Sequence, residues 1–312
     1  MPALCLPYDD DAVAEAVRRI LAGEPVALPS ETVYGLAADA TNGRAVAAIY
    51  AAKGRPSFNP LIVHVADQAM AGEIAEFSET AARLADAFWP GPLTLVLPRR
   101  ADGPIADLVM AGLSTIALRM PAHPAMQAVI RASGRPLAAP SANRSGSISP
   151  TCAAHVLASL GDRIGLVVDA GPTQAGLEST IAAPGTDSVR ILRPGPVIAK
   201  RLEDVAGLPV TGAGSGKGIE APGQLASHYC PDKPLRLGAA GREAGEFHIG
   251  FGPGPCDFNL SPAGDLAEAA ANLFAALHRA DASAAPRIAV APVPNEGIGV
   301  AINDRLARAA VR

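Results

Sequence analysis

The sequence predicts an α/β protein in which a large twisted sheet with flanking helices is followed by a smaller α/β unit. Three observations carry this expectation. Helical and strand-like patterns alternate through the first two-thirds of the 312 residues, as expected where helices cover a sheet. The alternation is too irregular for a repeated βαβ winding, and no internal repeat accompanies it. From Gly207 to about Pro234 the periodicity gives way to Gly, Pro and Ser, then resumes.

Each element has a local reason. Asp9 to Asp11 offer side-chain acceptors for the start of a helix running to about Leu21 and closed by Gly23. The apolar run Pro25 to Leu28 reads as a buried strand. Further helices are expected over Arg44 to Ala52, Glu79 to Phe88, Ala122 to Ala132 and Thr151 to Leu160. Strand-like runs fall at Leu61 to Val65, Leu93 to Leu97, Thr115 to Arg119, Pro136 to Ala139, Leu166 to Val168, Thr180 to Ala183 and Val189 to Leu192. The aperiodic segment is a linker or covering loop, because a long structureless stretch inside a compact protein is usually functional or interdomain. Beyond it, strands at Leu235 to Leu237, Phe247 to Phe251 and Ile288 to Ala291 alternate with helices at Leu266 to Ala280 and Asn303 to Ala310. The predicted divisions are 1–206, 207–233 and 234–312.

Composition narrows the functional classes. A hydrophobic fraction of 49% is ample for buried cores, yet no run reaches the ~18–20 apolar residues of a membrane span. The N-terminus MPALCLPYDDD lacks the basic and apolar regions of a secretory signal, so a cytoplasmic protein without membrane attachment is expected. Cys5, Cys152, Cys230 and Cys256 are widely spaced, without CxxC or Cys/His pairing, and read as free thiols. No protein-held metal is expected. A formal net charge of −4 does not suit a protein that grips nucleic acid by neutralising many phosphates, so no stable nucleic-acid complex is expected.

Several short motifs bear on chemistry. Ser30-Glu31-Thr32-Val33-Tyr34-Gly35-Leu36 follows the first buried strand, and strand ends are where α/β sheets commonly bind ligands; it reads equally well as an ordinary turn. Lys53-Gly54-Arg55-Pro56-Ser57-Phe58-Asn59-Pro60 sets two cations and an amide on a proline-stiffened loop, which suits a polyphosphate; the same cations could complement a helix dipole. His64 alternates with apolar neighbours in LIVHVA, a pattern more typical of a structural histidine. Thr115, Ala117 and Arg119 share one strand face, where Arg119 could clamp a carboxylate or form a surface ion pair. The run from Pro136 through Ser141, Asn143 and Ser149 leads a short strand into a polar loop able to cradle phosphate or ribose, or simply to bond its own backbone. Gly212 to Gly218 has the look of a P-loop, but Thr211 stands at the first glycine position and Gly218 replaces the Ser/Thr. No helix is expected after it, and a flexible linker is the better reading.

In this order and at these spacings, the motifs resemble the YrdC-like family, the threonylcarbamoyl-adenylate synthases, in its longer two-domain form. The resemblance covers about 10–205, and the segment from Ala221 to Pro231 resembles the linker that precedes the second domain of that form. It implies a YrdC-like twisted mixed sheet and a small Rossmann-like C-terminal domain. It also implies a nucleotidyltransferase that converts L-threonine, bicarbonate and ATP to threonylcarbamoyl-AMP and pyrophosphate, for modification of the tRNA adenosine next to the anticodon.

By the same resemblance, Thr32, His64, Arg119, Ala139 and Ser179 match L-threonine-binding positions. Arg55, Asn59, Thr115, Ser141, Ser149 and Arg193 match ATP-binding positions, and Lys53 and Asn143 belong to the same phosphate-site motifs. Lys53 and Arg55 are the expected catalytic cations, and Tyr229 matches a tyrosine of the lid. Mg²⁺ is implied as the companion of ATP, and a separate tRNA threonylcarbamoyl transferase as the recipient of the product. Two departures touch the lid: Pro222-Gly223-Gln224 stands where Pro-Gly-Met is usual, and His228-Tyr229-Cys230-Pro231 where His-Tyr-Ala-Pro is usual. One rival enzyme is a carbamoyl-adenylate maker of the hydrogenase-maturation type, but the chain lacks the length and the CxxC pairs of those proteins. Another rival is an RNA-binding module that uses a local patch of Lys53, Arg55, Arg144 and Arg193.

Overall fold

The computed structural model describes residues 2–212, 220–224 and 227–311. Its first half runs β1 (Leu4–Pro7), α1 (Asp10–Leu21), β2 (Val26–Leu28), β3 (Gly35–Asp39), α2 (Gly43–Lys53), β4 (Ile62–His64), α3 (Gln68–Gly72), α4 (Glu79–Phe88), β5 (Leu93–Pro98), β6 (Thr115–Arg119), α5 (Pro124–Ser133) and β7 (Leu137–Ala138). Then follow α6 (Ala153–Leu160), β8 (Leu166–Asp169), β9 (Thr180–Pro184), β10 (Val189–Arg193), α7 (Ala199–Ala206) and β11 (Val210–Gly212). The C-terminal part contains β12 (Leu235–Arg236), β13 (Glu246–Gly250), β14 (Phe258–Asn259), α8 (Leu266–Asp281), β15 (Arg287–Val290) and α9 (Gly299–Ala309).

The eleven strands before the linker form one mixed sheet, ordered β1-β8-β2-β3-β7-β4-β6-β5-β9-β10-β11. Period-two alternation sorts its side chains onto two faces. Leu36, Ala38, Val63, Leu95, Leu97, Ile116 and Leu118 face a core shared with α2, α4, α6 and α7. On the opposite face, Ala37, Leu137, Leu166 and Val168 pack under α1 and α5. Further along that second face there is a small apolar cluster, Ile62, Val96, Ala117, Ile181 and Leu192, whose cover includes Ala221 of the linker. The functional cavity lies where helical cover gives way to linker.

The local chemistry explains the element ends. Asp9 caps α1 by accepting from the Ala12 amide at 2.8 Å. α5 starts at Pro124, two residues later than expected, because His123 caps it and proline is preorganised for the first helical position. α2 ends on Gly54 in the left-handed region, φ 64°, a conformation that costs glycine nothing and turns the chain toward Arg55.

The second sheet is parallel, ordered β12-β15-β13-β14. α8 and α9 pack over one of its faces, and their core also takes in Val33, Ile148 and Leu177 of the first part and Tyr229 of the linker. Burying a side chain such as Leu273 or Leu277 there contributes about 1.5–3 kcal/mol, so the two parts are joined by a true core. The expected linker segment, 207–233, begins with structure: β11 pairs in parallel with β10. The P-loop-like stretch from Ala213 to Gly218 lies outside the described residues, as do Leu225 and Ala226 of the linker. α9 begins four residues before the expected Asn303, at Gly299.

Candidate active site

A cavity opens between the ends of β4 and β6, the 139–141 turn and the linker. Its walls include Thr32, His64, Arg119, Ala139 and Ser179, together with Arg55, Ser141, Arg193 and Tyr229. β4 pairs in parallel with β6 so that His64 lies beside Arg119. Arg119 donates Nη1 to Thr32 Oγ1 at 2.9 Å and Nε to the Gly91 carbonyl at 3.1 Å. Its Nη2 lies 2.6 Å from Glu31 Oε1, an ion pair by distance rather than an aligned hydrogen bond. Burial alone would raise the Glu31 carboxyl, but Arg119 outweighs it and holds the group below its ordinary value. A buried, fixed guanidinium fork with hydroxyl support is suited to a carboxylate.

The remaining cations are fixed from below. Arg55 donates to the Asn59 and Pro60 carbonyls at 3.2 and 2.8 Å. Arg193 donates Nε to the Ser179 carbonyl and Nη2 to Ser179 Oγ, both at 3.1 Å, while Ser179 Oγ also meets Thr94 Oγ1 at 2.7 Å. Burial lowers Arg55 to about 10, which leaves it charged at neutral pH. Three guanidinium groups, Arg55, Arg119 and Arg193, therefore converge on one enclosed space, an arrangement made for anionic ligands.

The linker borders this cavity. Pro222, Gly223, His228 and Tyr229 all line it. Cys230 donates its amide to the Gly146 carbonyl at 2.8 Å and bridges to Ser147, fixing the linker to the loop after β7. Tyr229 is fully buried at φ 65°, a strained region for a large side chain. Its ring tilts against Phe274 at 5.4 Å. Burial pushes the phenol up to about 12, so it stays protonated, and its hydroxyl has no hydrogen-bond partner among the described residues.

Five of the expected ATP-site residues do not line the cavity. Lys53 Nζ donates to the Ser141 and Asn143 carbonyls at 2.5 Å each, and burial, with Arg55 beside it, lowers its pKa well below the usual value. The lysine braces the 141–143 turn instead of pointing at a ligand. Asn143 Nδ2 ties down the same loop through the Arg144 and Ser147 carbonyls. Ser149 Oγ donates to Glu178 Oε1 at 2.5 Å. Asn59 presents its carbonyl to Arg55, and its amide is buried without a partner. Thr115 starts β6 opposite Pro98, about 13 Å along the strand from Arg119. The rival RNA-binding patch disperses, because Lys53, Arg55 and Arg193 are all buried.

Three residues at the site had no role assigned from sequence: Glu31, which lies in a motif noted there, Glu178, which precedes the matched Ser179, and Arg305, which lies in no motif. Glu178 lines the cavity, and Arg305 of α9 donates to it at 2.9 Å. The signal for Arg305 was periodicity. It sits on the apolar stripe formed by Ala301, Ile302, Leu306 and Ala309, where a charge requires a buried partner.

The buried histidines make the fold acid-sensitive. Desolvation depresses His64 and His228 to about 3 and His155 to about 4. Unfolded histidine titrates near 6.5, so the native state holds fewer protons between these values. The stability these groups contribute is present above about pH 6.5 and is lost as pH falls toward about 3. The melting temperature should therefore fall steadily from about pH 7 to about pH 4.5, and His64→Asn should flatten that slope. An unchanged slope in the variant would show that His64 is not depressed.

Comparison with known proteins agrees with this geometry over nearly the whole chain. The family described as "Telomere recombination" matches residues 18–195, and "Threonylcarbamoyl-AMP synthase, C-terminal domain" matches residues 197–311. The threonylcarbamoyl-AMP synthase of Bacillus subtilis is 40% identical, covering 98% of this chain and 94% of its own. That of Pyrococcus abyssi is 40% identical over 92% of this chain and 90% of its own. A crystal structure of P. abyssi Sua5 complexed with L-threonine superposes with a TM-score of 0.90 at 35% identity, covering 99% of this chain and 98% of that one.

Proposed function

The chain belongs to the threonylcarbamoyl-AMP synthase family, and on that premise we propose that its Arg119 cavity is where L-threonine is activated with ATP. The overall activity is a threonine-dependent nucleotidyl transfer that serves tRNA processing. The observation that carries the site assignment is convergence: all five residues matched to L-threonine line one cavity, beside Arg55 and Arg193.

In this reading Arg119 and Thr32 take the threonine carboxylate, with His64, Ala139 and Ser179 forming the surrounding wall. Arg55, Arg193 and Ser141 face the triphosphate, while Lys53, Asn143 and Asn59 shape the loops beneath. Bicarbonate loses hydroxide to give CO2, the neutral threonine amine bonds to the CO2 carbon, and the amine proton passes to the released hydroxide as water, leaving a carbamate. A carbamate oxygen then bonds to the α-phosphorus as the bond to the β-phosphate oxygen breaks, and pyrophosphate departs. Such a transfer needs positioning and charge neutralisation more than a covalent protein intermediate. His64, held neutral by burial, keeps one ring N–H and one acceptor nitrogen and serves as an uncharged hydrogen-bonding wall at neutral pH. Tyr229 and the linker would keep water from the carbamate.

Mg²⁺ is read as the ion carried by ATP. Such an ion binds mainly through phosphate and water oxygens and needs few protein ligands. A cytoplasmic setting and hand-off of the product to a separate tRNA threonylcarbamoyl transferase complete the proposal. No helix among the described residues is long and apolar enough to cross a membrane.

The test is pyrophosphate release by the purified chain with ATP and Mg²⁺, omitting threonine or bicarbonate in turn. Release is expected only when both are present. Release that ignores either one would remove that substrate from the scheme.

A further inference from the structure

We propose that Arg305, contributed by the second domain, is a positioning residue for ATP: it occupies Glu178 and so leaves Arg193 free for the triphosphate. The inference rests on the reading above that Arg193 takes ATP phosphate.

Arg305 is fully buried. It donates Nε to Glu178 Oε2 at 2.9 Å and Nη1 to Asp304 Oδ2 at 2.8 Å. Its guanidinium carbon lies 5.3 Å from the centre of the Tyr229 ring, within cation–π range. One side chain from α9 thus touches a cavity-wall carboxylate and the lid tyrosine together. The other oxygen of Glu178 accepts from Ser149 Oγ, so each carboxylate oxygen is held by one donor from outside the cavity.

The alternative partner for Glu178 is Arg193. Burial would raise the Glu178 carboxyl, but the fields of Arg305 first and Arg193 second keep it below its ordinary value. Both Glu178 and Arg193 line the cavity. Arg193 spends Nε and Nη2 on Ser179, leaving Nη1 for a ligand. Removing Arg305 would leave Glu178 as an uncompensated buried anion, which is strongly unfavourable. The carboxylate would then turn to Arg193 and set negative charge against the incoming phosphates. The second domain therefore supplies a charge that the first domain needs, and the apolar core around Leu273, Phe274 and Tyr229 holds it in place.

The experiment compares KM for ATP and for threonine in the full-length parent, Arg305→Ala, Arg305→Ala/Glu178→Gln and Arg193→Ala, with melting temperatures for each. Arg305→Ala should raise KM for ATP by about tenfold or more and leave KM for threonine within about twofold of the parent. The double variant has no carboxylate to neutralise, so its KM for ATP should return to within about threefold of the parent. A purely structural arginine would lower the melting temperature without separating the two KM values. If Arg305→Ala alone does not fold, the double variant still decides the matter through its ATP KM. Parental ATP binding in Arg305→Ala, or a double variant still weak for ATP, overturns the inference. Arg193→Ala separates the two readings. If it leaves KM for ATP unchanged, the ATP assignment fails first. If it raises that KM while Arg305→Ala does not, only the role of Arg305 falls.

Discussion

Arg119→Ala is expected to reduce threonine-dependent pyrophosphate release by at least about 100-fold in kcat/KM for threonine. The size follows from the site. Arg119 is buried, its fork is anchored by Gly91 and Thr32, and it is the cation beside His64 on the paired strands. A carboxylate leaving water for this cavity needs a charge-assisted partner of that kind, and no hydroxyl substitutes for it. The alanine variant also strands Glu31, whose own counter-charge is Arg119, so some loss of stability is expected alongside the loss of activity. Arg119→Lys resolves the two effects, since it keeps the positive charge near Glu31 and loses the two-pronged geometry. It should fold and still bind threonine poorly. A folded Arg119→Lys with parental KM for threonine would mean that the carboxylate is held elsewhere.

The parts of this architecture that were legible in the sequence are those governed by local rules. α4 and β6 have the bounds expected from periodicity, and α1 starts where the aspartates can cap it. What escaped depends on tertiary context. β3 begins within the last two residues of the motif read as a ligand loop and was missed because Gly35-Leu36-Ala37-Ala38-Asp39 is buried on both faces and shows no alternation. β1 is a mostly exposed edge strand defined by its parallel partner β8. β11 sits in a segment whose composition reads as linker, yet Val210 finds a partner in Val189. The site divides in the same way. The residue types of the cavity wall could be named from motifs, but the sequence did not reveal that Lys53 turns inward to carbonyls or that Glu178 is neutralised by a helix more than a hundred positions away.

The lid offers the second large effect. Gly223 has φ +85°, and a Cβ there would lie 2.9 Å from Arg193 Cδ and 3.3 Å from the Tyr229 hydroxyl. Glycine is required on two counts, conformation and space. Gly223→Val adds a β-branched side chain in the left-handed region, against both the proposed phosphate-binding arginine and the lid tyrosine. The expected result is a fall of about 100-fold in kcat/KM for ATP. The melting temperature should fall as well, because a β-branched residue at this φ, packed against buried Arg193 and Tyr229, is strained, so the ATP effect is read on protein shown to be folded. Tyr229→Phe is the matched control. The hydroxyl it removes has no partner among the described residues, so the fold should be as stable as the parent or more so, and a loss of activity in the folded variant reports a bond made to substrate. If Gly223→Val keeps parental turnover, the linker does not close over the reacting groups and water must be excluded by some other segment. If both variants lose turnover while remaining folded, the lid acts through Arg193 and the Tyr229 hydroxyl together, the one positioned by the space that Gly223 leaves and the other kept protonated by burial.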